Sequence, residues 1–181
     1  LKGENALILK TRNHGNITLG TTLSADGGNS DTSYNSYIGE LDYGIGKIGG
    51  QHGGLQNTSS GNGVGGGKLN LSVDGQLIGG GGGYGSSGEY HSNNINYGGT
   101  YGDSAITHLH GGSGGGAGYH TGGGAGGGAI SLEADGNGTL TISSSGTISA
   151  NGGSVSATSV NGGGGGSGGS IRLAGKRITN N

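Results

Sequence analysis

The chain has 181 residues, 53 of them glycine, with no Pro, Cys, Met, Trp or Phe, and a formal net charge of −2. Because only 27% of residues are hydrophobic, the chain cannot form a large conventional core, and because it has no Cys, a disulfide scaffold and a thiolate zinc cluster are excluded. No apolar run approaches the roughly 20 residues that cross a bilayer, so no membrane span is expected. The chain begins at Leu1 without a signal peptide, as expected of a mature product or an excised part of a longer protein.

The first predicted β-block, residues 5–28, returns later in the chain. Ala6 to Gly28 reads ALILKTRNHGNITLGTTLSADGG, and residues 129–153 read AISLEADGNGTLTISSSGTISANGG. The two copies align without a gap from Ala6 and Ala129 to Leu19 and Ile142, after which the second copy carries two extra residues. Two shorter blocks, 67–78 and 170–178, echo this pattern. The chain therefore contains an internal repeat.

Within the blocks, apolar residues alternate with polar ones, the period of a half-buried strand. The predicted inward rows are Leu7/Leu9, Ile17/Leu19, Leu69/Leu71/Val73, Ile130/Leu132/Ala134, Leu140/Ile142 and Ile171/Leu173. Asx-Gly pairs stand between the strands and suit tight turns, because both residue types tolerate the left-handed region. These pairs begin at Asp26, Asp74, Asp135, Asn137, Asn151 and Asn161.

Glycine-rich regions at 29–66, 79–128 and 154–169 separate the blocks. Ordering a glycine costs about 1–2 kcal/mol of backbone entropy, so ordered glycine needs compensation. Extended, polyproline II-like segments packed closely together supply it, and Gly79–Gly83, Gly122–Gly128 and Gly162–Gly166 are long enough. The alternative is flexible loops. We expect one domain, 1–181, with an all-β fold: a glycine-rich, β-helix or solenoid-like stack with polyglycine segments. A β-sandwich with long glycine-rich loops is the alternative.

A family resemblance supports this view. The succession GGGAISLEADGNGTLTISSSGTISANGG, followed by GGGGGSGGSIRLAGKRI, resembles the glycine-rich repeats of very large secreted or surface-anchored, adhesin-like proteins. It is more loosely similar to the polyglycine sandwich of phage tail-fibre adhesins, from which it departs in having more alternating strand. The resemblance covers the last 55 or so residues well and the first 28 fairly. It implies an extracellular repeat fold.

Catalytic motifs carry little information in so glycine-rich a chain. The pattern GxSxG occurs around Ser113 and Ser167, but no helix follows either serine as a hydrolase elbow requires. The closest carboxylate pairs, Glu40/Asp42 and Glu133/Asp135, lie along single strands, whereas glycosidase acids normally come from separate ones. We therefore expect no enzyme and no cofactor, with a polysaccharide-active β-helix enzyme as a less favoured alternative.

The region between Tyr84 and His120 has the composition of a binding loop. Rigid aromatic rings stand among Ser, Asn and Gly, which suits recognition of a glycan or receptor; the alternative is that the tyrosines pack over a thin core. The candidate ligand-binding residues are Tyr84, Tyr90, His91, Tyr97, Tyr101, Asp103, His108, His110, Tyr119 and His120. No metal is predicted, although His108, His110 and His120 are weak candidate ligands. Four sequons provide glycosylation sites if the source is eukaryotic or archaeal: Asn16, Asn57, Asn70 and Asn137.

Basic residues gather at the two ends of the chain, and none lies between Leu69 and Ile171. Nucleic-acid binding is therefore not expected, since it needs a contiguous basic face. At strand edges these residues either block pairing or meet acidic neighbours in a head-to-tail stack.

Together these observations predict a non-enzymatic extracellular structural or adhesive module at a cell or virion surface. Self-association as a fibre subunit, or stacking on neighbouring repeats, is expected. A glycan- or receptor-binding tip formed by residues 84–120 is the alternative, and an ice-binding Thr/Ser face is less favoured, because no regular Thr-x-Thr array is present.

Overall fold

The structure, a computed structural model, describes residues 5–30, 43–71, 75–89, 97–156 and 161–181. Within these ranges it contains ten short strands and no helix, which confirms the all-β prediction. The strands are β1 (Leu7–Lys10), β2 (Ile17–Leu19), β3 (Thr22–Ser24), β4 (Leu69–Leu71), β5 (Leu77–Gly79), β6 (Ala129–Glu133), β7 (Thr139–Ile142), β8 (Thr147–Ser149), β9 (Ser170–Ala174) and β10 (Arg177–Asn180).

The sequence repeat is also the pairing register of the strands. β1 pairs with β6, β2 with β7 and β3 with β8, each in parallel. Leu7 faces Ile130, and Leu23 faces Ile148 after the two-residue insertion. The alignment of the two copies, with its insertion, therefore describes one layer lying on another.

A third layer covers the other side of residues 129–142. β9 pairs with β6 and β10 pairs with β7, again in parallel. Layer 1 (residues 7–24) and layer 3 (170–180) thus lie on opposite sides of layer 2 (129–149). The block at 67–78 does not join these sheets: β4 and β5 pair with each other in antiparallel register. Gly75 has a positive φ of 74° between them, which suits a tight turn; Val73 and Asp74 lie outside the described residues.

Hydrogen bonds from backbone amides of residues 135–154 to side chains of residues 11–29 hold layers 1 and 2 in register. The amides of Asp135, Asn137, Thr139, Asn151 and Ser154 donate to Thr11 Oγ1, His14 Nδ1, Asn16 Oδ1, Asp26 Oδ1 and Asn29 Oδ1, at 2.7–3.0 Å. Of the Asx-Gly pairs predicted to turn through the left-handed region, only Gly75 and Gly136 do so among the described residues. The Asp26 side chain instead accepts a hydrogen bond from the backbone amide of Asn151 in the neighbouring copy of the repeat.

The small core lies in layer 2. Ile130, Leu132 and Leu140 are essentially buried, and Leu7, Ile17, Leu23, Ile148, Ile171 and Leu173 pack around them. Rows formed across the layers include Leu9–Leu132–Leu173 and Ile17–Leu140–Ile178. Their residues are buried in the middle and more open at the ends: Leu132 is 1% exposed, but Leu9 is 46% exposed. The core thus continues to the stack ends without being closed there.

The glycine run at 111–118 lies inside a hydrogen-bonded network, with residues 112–118 buried. Its amides donate to neighbouring segments with a period of three residues. The pairs are Gly112 to Gly127 and Gly115 to Gly124, Gly114 to Asn62 and Ala117 to Ser59, and Gly116 to Gly80. Its carbonyl groups accept from Gln51 and Gly54, from Ser167 and Gly164, and from Gly67. Three residues per turn is the repeat of the polyproline II helix.

The neighbouring run at 122–128 repeats this arrangement and is also buried. Its donor pairs are Gly123 to Gly54 and Gly126 to Gln51, Gly124 to Gly164 and Gly127 to Ser167, and Ala125 to Gly28 and Gly128 to Ala25. A Cβ added at Gly124 or Gly127 would lie within 3.0 Å of backbone atoms of another segment. Glycine is therefore required here because the neighbouring backbones occupy the space of a side chain.

Candidate binding surfaces

Four of the predicted binding residues form a continuous row of aromatic rings. Tyr84 packs edge-on against Tyr101, with ring centres 5.0 Å apart, and Tyr101 packs edge-on against His110 at 6.3 Å. His110 in turn stacks on His108 at 6.0 Å. Residues separated by up to 26 positions in the chain thus share one surface, which we call the aromatic row.

Tyr101 anchors this row to the glycine network. Its hydroxyl donates to the carbonyl oxygen of Gly111 at 2.5 Å and accepts from Ser113 Oγ at 3.1 Å. Its amide donates to the carbonyl oxygen of Tyr84 at 2.9 Å. Burial of the phenol raises the pKa of Tyr101 above its usual value. The ring is therefore a fixed, neutral surface at physiological pH.

A cleft of about 440 Å³ opens beside Tyr101 and His110. Asn5, Gln51 and Val64 contribute further side chains, and Gly49, Gly63 and Gly111 form part of its wall. We call it the aromatic cleft. A Cβ at Gly63 would collide with Ser113 Oγ and Gln51 Cγ, and the φ of Gly63 is +96°, so glycine is required in this wall. Among the described residues, the lining combines the Tyr101 and His110 rings, the amide groups of Asn5 and Gln51 and the apolar Val64 and Leu109, and it includes no Asp, Glu, Lys or Arg.

The remaining candidate residues do not join this cleft. Tyr97 lies with Glu89 at a separate depression of about 430 Å³. Tyr119 and His120 pair edge-on at 4.7 Å, with Tyr119 48% exposed. Tyr90 and His91 lie outside the described residues.

Asp103 organises its own loop. Its carboxylate accepts from Thr107 Oγ1 at 2.8 Å and from the Thr107 amide at 3.1 Å. These bonds hold the pKa of Asp103 below its usual value. The carboxylate is therefore engaged in fixing the loop that leads to His108.

The weak metal candidates do not assemble into a site. His108 and His110 are neighbours, but in the described part of the chain no three His, Cys, Asp or Glu side chains are grouped as metal ligands. Likewise, none of the described residues forms a helix with the length and apolar character that a membrane crossing requires.

All four sequon asparagines are exposed. Asn16 Oδ1 accepts from the Thr139 amide and Asn137 Oδ1 accepts from Lys176 Nζ, so these two side chains hold layers together. Asn70 Oδ1 accepts from the Leu71 amide, and Asn57 has a positive φ of 58°.

A second surface runs across the three layers and centres on Glu133 of layer 2, the middle layer. Its carboxylate lies 3.2 Å from Arg172 of layer 3 and 3.7 Å from Lys10 of layer 1. Two of the basic residues that the sequence places at strand edges, Lys10 and Arg172, therefore have an acidic partner inside the chain. The outer sides of β1 and β9 pair with no other strand among the described residues.

Sequence patterns did not reveal several of these residues. Asn5, Gln51 and Val64 reach the cleft from segments without a motif, and only the folding of the glycine network brings them beside Tyr101. Ser113 and Ser167, the centres of the GxSxG matches, are part of that network. Ser113 is fully buried and its Oγ accepts from the Gly65 amide, while Ser167 Oγ accepts from the Ser113 amide.

Comparison with known proteins adds no assignment to this geometry: no protein-family model, no curated protein and no solved structure matches the chain.

Proposed function

We propose that the chain is a non-enzymatic extracellular structural or adhesive module that works as a segment of a longer β-stack. The observation that carries this proposal is the opening of the core at both ends. Leu132 and Leu140 are 1% and 0% exposed in layer 2, whereas Leu9 and Ile178, in the same rows, are 46% and 48% exposed. Apolar rows that continue to an open edge favour a further layer, because each added layer removes apolar surface from water.

The fold that we propose for this role is a solenoid-like β-stack beside a polyproline II-like glycine bundle. Parallel, in-register pairing of three layers supports the stack over a β-sandwich, whose strands pair antiparallel. The three-residue period of donors at 112–117 and 123–128 supports the bundle. Such a bundle is stiff without a large core, since backbone hydrogen bonds replace side-chain packing.

The proposed surface location rests on the resemblance to glycine-rich repeats of secreted and surface-anchored proteins. The non-enzymatic role is supported by what the serines of the GxSxG matches do. The Ser113 hydroxyl is fully buried and accepts from the Gly65 amide, and the Ser167 hydroxyl accepts from the Ser113 amide and donates to the Gly83 carbonyl oxygen. Both hydroxyl groups therefore serve to hold backbone segments together.

Sedimentation velocity of the whole chain in about 1 M salt, where the Debye length falls to about 3 Å, tests stacking directly. We expect concentration-dependent association, visible as short rods in negative-stain microscopy. Leu9→Asn and Ile178→Asn should weaken it, while Leu71→Asn, at an exposed apolar position on β4, which does not join the stack, should not. A chain that stays monomeric at all concentrations in high salt would contradict the stacking role.

A second candidate function is recognition of a neutral glycan or polar receptor segment at the aromatic cleft. This candidate rests on the lining of the cleft, where the neighbouring rings of Tyr101 and His110 lie beside the amide groups of Asn5 and Gln51. Aromatic faces with a few placed polar groups are typical of small-ligand sites.

A glycan array followed by calorimetry tests this second function. We expect neutral glycans to bind, and Val64→Trp to block the cleft, because Val64 is 82% exposed at its wall and a large side chain there is tolerated by the fold. Tyr119→Ala, which changes an aromatic residue outside the cleft, is the matched control. Binding that survives Val64→Trp but is lost with Tyr119→Ala would place recognition elsewhere.

A further inference from the structure

We propose that the ends of the stack select their neighbour by charge: each end accepts a β-layer that carries a carboxylate at the position of Glu133, and disfavours a second copy of this chain. The inference rests on the stacking role proposed above and specifies the partner. It follows from the order of charges across the three layers.

Within the chain, that order is cation, anion, cation. Lys10 is directly opposite Glu133 in the β1–β6 ladder, and Lys10 Nζ lies 3.7 Å from Glu133 Oε2. Arg172 is opposite Ser131 and reaches diagonally to Glu133 Oε1, 3.2 Å away. Diagonal contacts of this kind are within reach of long side chains on neighbouring strands.

A second copy would break this alternation. If its β1 continued the parallel register beyond β9, its Ile8 would lie opposite Arg172 of the first copy. Its Lys10 would then occupy, relative to Arg172, the place that Glu133 occupies now. Two cations would meet where the chain itself places an ion pair, and like charges across neighbouring strands oppose pairing. Arg177 on β10 adds a further positive charge to the same end.

The apolar rows and the charges at the ends of the stack therefore select for different features of a neighbouring β-layer. The open rows ending at Leu9 and Ile178 favour coverage by any β-layer with matching apolar positions. Lys10 and Arg172, whose side chains are 56% and 47% exposed, favour only a layer with an acid in register. Because both cations are partly exposed, this discrimination is strong at low salt and weak at high salt.

The partner is thus defined by its chemistry. It is a β-layer with inward Leu, Ile or Val in alternate positions and an Asp or Glu opposite Lys10, or diagonal to Arg172. Layer 2 of this chain has that pattern, with Leu132 next to Glu133, which makes a repeat resembling residues 129–153 the expected neighbour.

The test uses the full chain and a charge-reversed variant, Lys10→Glu/Glu133→Lys/Arg172→Glu. The variant keeps the alternation inside each molecule but presents acids at both ends. At low salt we expect each protein alone to remain monomeric by sedimentation velocity. We expect their mixture to form alternating stacks at concentrations at least about tenfold lower, the factor that corresponds to 1.4 kcal/mol.

A second variant keeps the test decisive if charge reversal impairs folding, which circular dichroism would detect. Lys10→Gln/Arg172→Gln removes the repulsion between copies, so it should self-associate at low salt where the unmodified chain does not. Wild-type chain that stacks at low salt as readily as this variant or the mixture would overturn the inference and leave the stacking role intact. If no protein or mixture associates, even in about 1 M salt, the stacking role itself fails.

Discussion

The amide of Gly115 donates a hydrogen bond to the carbonyl oxygen of Gly124 at 2.9 Å, and three residues earlier Gly112 donates to Gly127 at 2.7 Å. Two glycine runs are thereby joined at each turn of a three-residue repeat. Their close approach leaves no room for side chains, so the network depends on glycine for its packing as much as for its conformational freedom.

Replacing a network glycine should therefore be costly even where φ is favourable. A Cβ at Gly115 would lie within 3.0 Å of backbone atoms of Gly164 and Gly165, and backbone cannot move aside as a flexible side chain can. We expect Gly115→Ala to lower the free energy of unfolding by about 3 kcal/mol or to prevent folding, as measured by urea denaturation.

Gly99→Ala is the matched control for this prediction. Nothing lies within 4 Å of a Cβ at Gly99, and its φ is not in the left-handed region. We expect a neutral result or a gain of about 0.4–1 kcal/mol, because alanine restricts the unfolded chain. If Gly115→Ala and Gly99→Ala lowered the free energy of unfolding equally, glycine would act here through flexibility and not through packing.

The layers of the stack were predictable from sequence, but the partners of the glycine runs were not. Matching Ala6–Leu19 to Ala129–Ile142 predicted an internal repeat, and the observed register of β1 with β6 and of β2 with β7 follows that alignment, because a repeated apolar pattern specifies which strands can share a core. Gly115 offers no such signal, since every glycine looks alike and its partner Gly124 is chosen by the whole bundle. The same holds for the cleft: Tyr101 and His110 were predicted, whereas Gln51 reaches it through the bundle.

Glu133 should stabilise the stack by more than an isolated surface acid, because it serves two cations and its side chain is 18% exposed. We expect Glu133→Gln to lower the free energy of unfolding by about 1 kcal/mol at low salt, and by much less in about 1 M salt. Thermal or urea unfolding at the two salt concentrations measures the difference. A cost that does not change with salt would mean that Glu133 acts through packing or through its hydrogen bond from Ser131.

Removing the Tyr101 hydroxyl should destabilise the aromatic row. Tyr101→Phe leaves the Gly111 carbonyl oxygen without its donor and the Ser113 O–H without its acceptor, so we expect the free energy of unfolding to fall by about 1–2 kcal/mol. Tyr119→Phe is the control, with no expected loss, because that side chain is 48% exposed.

Tyr101 should also make the stability of the protein depend on pH in the alkaline range. Burial raises the folded-state pKa of Tyr101, so stability should fall as pH rises from about 10, where the unfolded chain ionises first. Ultraviolet titration of the folded protein should show a tyrosine that ionises later than the others and is missing in Tyr101→Phe. An unchanged titration curve in that variant would contradict the buried phenol.

Asp26 should make the stability of the protein depend on pH in the acidic range. Burial alone would raise its pKa, but hydrogen bonds from the Asn151 amide, Ser24 and Ser149 outweigh this and hold the pKa of Asp26 below its usual value. The ionised Asp26 carboxylate therefore stabilises the fold at pH values above the pKa of about 4 that Asp has in the unfolded chain. This stabilisation is lost as the pH falls through the lower pKa of the folded state. We expect Asp26→Asn to lower the free energy of unfolding by under about 1 kcal/mol at pH 7, because the half-buried carboxylate is still partly screened by solvent. That difference should vanish on acidification; a difference that grew instead would contradict the capping role of the carboxylate.

Amide hydrogen exchange, followed residue by residue by NMR, tests the ordered glycine bundle most directly. The amides of Gly112, Gly114–Gly116 and Gly123–Gly128 are buried donors in the network, and we expect their exchange to be slowed to rates set by global unfolding. The exposed Gly85 and Gly99 should exchange rapidly. If the amides at 112–116 and 123–128 exchanged as fast as these two, the glycine runs would be flexible loops and the proposed bundle would be wrong.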